Sequence, residues 1–88
     1  MSATLSDDVL DDDVAVLLAR VLAAANKRAR ELGVDIPQSL ISITQSCENG
    51  PSWRVNYGPK DYVGRRGGDL IVEVEPSDVS VKRVLRGQ

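Results

Sequence analysis

A chain of 88 residues, 42% hydrophobic and 27% charged, predicts one folded domain over residues 1–88 and excludes a wholly disordered protein. No apolar run approaches the roughly 20 residues that a membrane-spanning helix needs. The net charge of −2 excludes overall attraction to nucleic acid, although a local basic patch is compatible with it. Because the chain contains no Phe, its core must be built from Leu, Ile, Val and Ala.

The N-terminal residues predict a cytoplasmic protein. Residues 1–5 are expected to be disordered, and the acidic Asp7 and Asp8 follow where a signal peptide would be basic. A lone cysteine, Cys47, cannot form an internal disulfide, which agrees with a reducing compartment.

The first half of the chain has the periodicity of one amphipathic helix, predicted over residues 6–33. Ser6 or Asp11 can cap its start, and the acidic residues from Asp7 to Asp13 suit the positive end of its dipole. Gly33 is expected to end it in a left-handed conformation, with Val34 folding back on the last turn. The apolar stripe comprises Leu10, Val14, Leu17, Leu18, Val21, Ala25, Ala29 and Leu32.

After Pro37 the period changes to two, which predicts an antiparallel sheet over residues 39–86. The expected strands are Ile41–Cys47, Trp53–Tyr57, Asp69–Glu75 and Val79–Arg86, with a hairpin turn at Asn49-Gly50 and a second turn at Pro76-Ser77-Asp78. A loop of eleven residues, 58–68, joins the second and third strands, and loops of that length are more often functional. The predicted fold class is therefore α+β, a single helix on one side of a four-stranded antiparallel meander (αββββ) in two layers.

Strand alternation assigns the side chains to two faces. Those expected under the helix are Ile41, Ile43, Trp53, Val55, Tyr57, Leu70, Val72 and Val74. Those expected on the uncovered face are Ser42, Thr44, Arg54, Asn56, Glu73, Glu75 and Lys82, with Ile71 and Val84 as an apolar spot among them. Two cross-strand ion pairs follow from this assignment, Arg54 with Glu73 and Glu75 with Lys82.

The residue types argue against an enzyme. Without histidine, neither a Ser-His nor a Cys-His pair can be built, and Cys47 is expected to behave as a small hydrophobe. Read as a calcium-binding loop from Asp7, the acidic cluster has Asp12 and Leu18 where Gly and Glu are needed, so helix capping explains it better. No metal or cofactor is predicted.

Two nucleic-acid interpretations are weaker than their structural alternatives. Gly64-Arg65-Arg66-Gly67 matches the GxxG loop of KH domains, but that loop joins two helices, whereas a strand follows here. Backbone N–H groups near Gly67 and Gly68 can still hold an anion beside the two arginines. Trp53 and Tyr57 can stack on bases, but they share the face that the core requires.

The second half of the chain resembles two families. The Trp53–Tyr57 strand, the Gly67-Gly68 pair, the alternating Leu70–Glu75 segment and the Val81–Gln88 ending are similar to the closing strands of PepSY-type domains and to bacterial immunity proteins of the nuclear-transport-factor-like fold. The chain departs from the PepSY pattern at Glu75 and Ser80, where Asp and Gly are usual. The first resemblance implies inhibition of a peptidase and the second implies neutralisation of a toxin.

The sequence therefore predicts a small non-catalytic protein-interaction module of inhibitory or immunity-like type. The alternative is binding of an anionic ligand or nucleic acid through Arg65-Arg66-Gly67-Gly68, and a homodimer through a sheet edge or the uncovered face is compatible with either function. The residues predicted to bind the partner are Arg54, Tyr62, Arg65, Arg66, Gly67, Gly68, Asp69 and Ile71.

Overall fold

The structure, a computed structural model, describes residues 7–47, 50–59 and 69–86, and it confirms the predicted α+β fold. One helical layer packs on one side of a four-stranded antiparallel sheet whose strands lie in chain order. The elements are α1 (Asp7–Leu10), α2 (Asp13–Glu31), a 3₁₀ turn (Ile36–Gln38), β1 (Ser39–Ser46), β2 (Ser52–Pro59), β3 (Leu70–Glu75) and β4 (Ser80–Arg86).

The helical segment is divided in two rather than continuous from residue 6 to residue 33. Asp12 has an extended backbone and caps α2, because its Oδ1 accepts hydrogen bonds from the N–H groups of Val14 at 2.9 Å and Ala15 at 3.0 Å. The cap is therefore not Asp11, and Ser6 lies outside the described residues. A short polar side chain that takes the first free N–H groups restarts the helix at that point, which leaves α1 as a single turn.

The end of α2 confirms the prediction for Gly33 and Val34. Gly33 has a φ of 90°, and its N–H donates to the carbonyl of Arg30 at 3.0 Å, while the N–H of Val34 donates to that of Ala29 at 3.0 Å. This pair of bonds defines a Schellman motif. Val34 packs against the core, and the 3₁₀ turn that follows buries Ile36 beneath the helix end.

The first hairpin is regular along its whole length. Its eight register pairs run without interruption from Ser39 opposite Pro59 to Ser46 opposite Ser52. The connection therefore spans residues 47–51, in which Gly50 has a φ of 86° and Asn49 lies outside the described residues. The predicted hairpin is confirmed, with a connection longer than the two residues of Asn49-Gly50.

The second hairpin contains a β-bulge that changes the face assignment of β4. Glu73 lies opposite Arg83 but the next residue, Val74, lies opposite Val81, so Lys82 is the extra residue. As a result Val84 lies opposite Val72 and packs against the core. The prediction that Val84 lies on the uncovered face is wrong because simple alternation does not allow for the extra residue.

The core lies between α2 and the middle of the sheet. Helix α2 packs mainly over β3 and also contacts β4 and β2. Ile41 on β1 points to the helix side but stays 39% exposed, so the prediction that the helix covers it is wrong, and Leu10 and Val14 of the helical stripe are exposed as well. The buried apolar residues are Val21, Ala25, Ala29, Ile36, Val55, Tyr57, Leu70, Val72 and Val74.

One hydrogen bond ties the helix to the sheet through this core. The hydroxyl of the buried Tyr57 donates to Oδ1 of Asn26 at 2.6 Å. Burial raises the pKa of Tyr57 to about 12, against the opposing effect of the nearby Arg30 charge. The hydroxyl is therefore a neutral donor at all ordinary pH values.

The cap at Asp12 can be tested by truncation. We expect Asp12→Ala to lower the free energy of unfolding by about 1 kcal/mol, because two helical N–H groups lose their acceptor. Asp11→Ala is the matched control and should change stability by less than half as much. Equal effects of the two substitutions in urea denaturation would contradict the assignment of the cap.

The Tyr57 hydroxyl predicts both a stability change and a pH dependence. Tyr57→Phe should lower the free energy of unfolding by about 1 kcal/mol near neutral pH, because the hydroxyl bond to Asn26 is lost. The folded-state pKa is raised above the ordinary value of 10.0, so the unfolded chain loses this proton first. Stability of the native protein should therefore fall as the pH rises from 10 towards 12, more steeply than that of Tyr57→Phe. Circular dichroism in urea measures the stability of both proteins across this pH range. Parallel pH profiles would contradict the predicted contribution of the Tyr57 hydroxyl.

Candidate functional site

The sheet side opposite α2 is the candidate binding surface, and we call it the open face. The three helical elements among the described residues contact one another or the other side of the sheet. The side chains of the open face, by strand register, are Leu40, Ser42, Thr44, Ser46, Ser52, Arg54, Asn56, Ile71, Glu73, Glu75, Ser80, Lys82, Arg83 and Leu85, and Asp69 adjoins them.

A row of three charged side chains crosses the centre of the open face. Glu73 on β3 lies directly opposite Arg54 on β2 and Arg83 on β4. Nε of Arg54 donates to Oε2 of Glu73 at 2.7 Å, and Nε of Arg83 donates to Oε1 at 2.8 Å. Nη2 of Arg83 reaches Oε2 at 3.3 Å, so both carboxylate oxygens accept from arginine.

Burial differs sharply along this row. The Glu73 side chain is 5% exposed, whereas those of Arg54 and Arg83 are 32% and 52% exposed. The hydrogen bonds from Arg83 hold the pKa of Glu73 below its ordinary value, opposed by desolvation and aided by Arg54. The carboxylate is therefore charged at neutral pH and binds two arginines whose side chains are partly exposed.

Polar contacts continue on either side of the row. Nζ of Lys82 lies 3.7 Å from Oε2 of Glu75, which confirms the second predicted ion pair. Nδ2 of Asn56 donates to Oδ2 of Asp69 at 3.3 Å, while its Oδ1 is buried and has no hydrogen-bond partner among the described residues. The described open face thus balances three cations against three carboxylates, with one amide oxygen unsatisfied.

The apolar part of the open face consists of Ile71 and Leu85. The two residues are register partners on β3 and β4, and both are half-buried. Ile71 also lies opposite Asn56 on β2. The apolar spot therefore consists of Ile71 and Leu85, whereas the sequence predicts Ile71 and Val84.

The structure brings together three of the residues predicted from sequence. Arg54, Asp69 and Ile71 lie on or beside the open face within neighbouring strands. Sequence reasoning misses Arg83 and Leu85, although an arginine at a position that strict alternation turns towards the core is a signal for a bulge. The remaining predicted residues, Tyr62, Arg65, Arg66, Gly67 and Gly68, lie outside the described residues.

Cys47 follows the last paired residue of β1 and is exposed, so the prediction that it packs as a small hydrophobe is wrong. Within the described ranges, no three His, Cys, Asp or Glu side chains are grouped so that they could hold a metal ion. In the same ranges, no helix has the length and apolar character needed to cross a membrane.

Comparison of the chain with protein-family models, with curated proteins and with solved structures gave no match. The resemblances to PepSY-type domains and to immunity proteins therefore stay predictions that rest on the residues named above.

The buried carboxylate predicts an acid-sensitive sheet. Glu73→Gln should lower the free energy of unfolding by about 1–3 kcal/mol, because the amide keeps one acceptor oxygen but loses the second and the negative charge that binds both arginines. Glu75→Gln is the matched control, and the loss of its more exposed ion pair should cost less than about 1 kcal/mol.

The pH dependence follows from the depressed pKa of Glu73. The stability it contributes is fully present above the ordinary glutamate value of 4.5 and is lost as the pH falls through the lower folded-state pKa. Below pH 4.5 the wild type should therefore lose stability faster than Glu73→Gln. Urea denaturation of both proteins across this range checks the prediction, and indistinguishable acid limbs would contradict it.

Proposed function

We propose that this chain is a small non-catalytic module that binds a protein partner through its open face. The observation that carries the proposal is the contrast within the Arg54–Glu73–Arg83 row, in which a buried carboxylate binds two arginines whose side chains are partly exposed. Arginine is among the residues most enriched at binding hot spots.

The row reduces the entropic cost of using its arginines in recognition. A free arginine side chain loses rotamer freedom when a partner immobilises it, at roughly 0.5–1.5 kcal/mol. Here the bond between Nε of Arg54 and Glu73 already restricts that side chain. No hydrogen bond joins the terminal nitrogens of Arg54 to another described residue. We propose that these donors bind acceptors on a partner.

The charge balance of the open face suits a protein better than a polyanion. Its cations are Arg54, Lys82 and Arg83, and its carboxylates are Asp69, Glu73 and Glu75. Binding to a nucleic-acid backbone relies on an excess of cations that displace counterions. A mixed surface with Ile71 and Leu85 at one end matches the polar and apolar composition of protein interfaces.

The resemblances named above suggest the class of partner, a peptidase in one case and a bacterial toxin in the other. The acidic N-terminal residues and the lone cysteine favour the cytoplasm as the place of binding. The alternative function, anion or nucleic-acid binding at Arg65-Arg66-Gly67-Gly68, depends on residues outside the described ranges. The two functions differ in their salt dependence, because phosphate binding weakens steeply with salt and an interface with an apolar part does not.

Affinity capture with three baits tests the proposal. Wild type, Ile71→Gln and Ala23→Gln would be immobilised and exposed to extract of the source cell, with bound proteins quantified by mass spectrometry. Ile71 lies on the open face, whereas Ala23 is exposed on the outer side of α2 and provides the matched control. We expect a stoichiometric protein on wild type and on Ala23→Gln, reduced at least about tenfold on Ile71→Gln, since a truncated hot spot costs about 2 kcal/mol or more.

The same capture distinguishes the alternative. Washing at about 50 mM and 200 mM salt should leave the protein partner bound, whereas nucleic acid should be lost by a factor of 10³ or more for six or more phosphate contacts. Circular dichroism of each bait shows whether the fold is retained. A protein partner that all three folded baits hold equally would contradict binding through the open face. Capture of nucleic acid alone, lost at the higher salt concentration, would contradict it as well.

A further inference from the structure

The outer edge of β1 is an unprotected strand edge. β1 is the first strand in the sheet order and pairs only with β2 among the described strands. Its eight residues, Ser39–Ser46, include no charge and no proline, and its register contains no bulge. Natural sheets usually protect such an edge with charged residues, proline or a bulge, because its free N–H and C=O groups recruit another strand.

The opposite edge of the same sheet carries the usual protection. β4 contains the bulge at Lys82, which interrupts the regular ladder. It also carries the cationic residues Lys82, Arg83 and Arg86 along its seven-residue length. The difference between the two edges singles out β1 as the one suited to pairing.

Side chains on β1 expose apolar surface on both faces of the sheet. Leu40 on the open face is 43% exposed, and Ile41 on the helix side is 39% exposed. Ile43, also on the helix side, is half-buried and packs at the border of the core. A strand added beside β1 would cover part of this area while completing the ladder.

We propose that a second copy of this chain occupies this edge, so that two β1 strands pair antiparallel around a two-fold axis at Ser42. This register places Ile41 opposite the second copy's Ile43, and Ile43 opposite the second copy's Ile41. Four isoleucines thus meet on the helix side of an eight-stranded sheet, and residues Ser39–Gln45 all find partners. Axes at Ile41 or Ile43 align only one pair of isoleucines each.

Self-pairing fits β1 because the strand carries nothing that repels its own copy. A C₂ interface brings each residue against the same short segment, so a charge near the axis would face its own kind. The uncharged sequence Ser-Leu-Ile-Ser-Ile-Thr-Gln-Ser avoids this at every position. A two-fold axis perpendicular to the sheet also places both α2 helices on one side, which leaves both open faces accessible.

Substitution at the axis provides a charge-swap test. By sedimentation equilibrium the full chain should weigh twice 9.5 kDa, which is 19.0 kDa. Ser42 is exposed and points away from the core, so Ser42→Lys and Ser42→Asp should both fold. Each alone should sediment as a monomer, because two like charges meet at the axis, and an equimolar mixture should recover the dimer mass.

A disulfide test identifies the register directly. In a Cys47→Ser background, Ser42→Cys should cross-link two copies on mild oxidation, since opposite Cα atoms lie about 4.5–5.5 Å apart and disulfides tolerate that distance. Thr44→Cys is the matched control, because the two copies of residue 44 would be roughly 13 Å apart along the strands and should not cross-link.

Two outcomes would overturn the proposal. One is a wild-type monomer at about 1 mM, a concentration at which even a millimolar complex is substantially formed. The other is a dimer that persists undiminished in folded Ser42→Lys, which would place the contact elsewhere or give the edge to another occupant, such as an extended segment of a different protein.

Discussion

The fold depends on a mismatch of widths, since a single helix must cover a four-stranded sheet. A helix with its side chains is about 10–12 Å across and neighbouring strands lie about 4.8 Å apart, so one helix covers roughly two strands. Helix α2 lies over β3, where Leu70, Val72 and Val74 are fully buried. This position leaves β1 at the margin and accounts for the exposure of Ile41. The shortage of helix, rather than any shortage of apolar residues in β1, therefore leaves apolar side-chain surface of this strand exposed.

Strand β3 also buries a charged side chain, Glu73, on the open face. Glu73 is 5% exposed and forms ion pairs with two arginine side chains. Replacing such a row as a whole by apolar side chains would change stability little, because desolvation offsets much of the attraction, but the row favours one register of β2, β3 and β4. A one-residue slip would turn Glu73 into the core. The bulge at Lys82 belongs to this arrangement, since it allows Arg83 and Glu73 to face each other while Val81 stays over the core.

Periodicity and pair chemistry predict the αββββ order, the end of the helix at Gly33 and the Arg54–Glu73 pair, because each depends on neighbours in sequence or on strict alternation. Three features escape such reasoning for a physical reason. The bulge at Lys82 and the break at Asp12 are single-residue events that leave the average period unchanged. The exposure of Ile41 depends on where the helix lies across the sheet, which strand alternation does not contain. For the candidate site, sequence places Arg54 correctly but misses Arg83, whose orientation depends on the bulge.

The edge and the open face are linked by symmetry. A two-fold axis through Ser42, perpendicular to the sheet, places two Arg54–Glu73–Arg83 rows on one continuous surface. A partner with two matching sites would then bind the second row as an intramolecular step, with avidity 10²–10⁴ above that of one row. The described residues of the open face include no aromatic side chain, and an interface without aromatic anchors gains most from such doubling. Pairing at the β1 edge would thereby cover exposed apolar surface beside a small core and raise the affinity of the open face for a two-site partner.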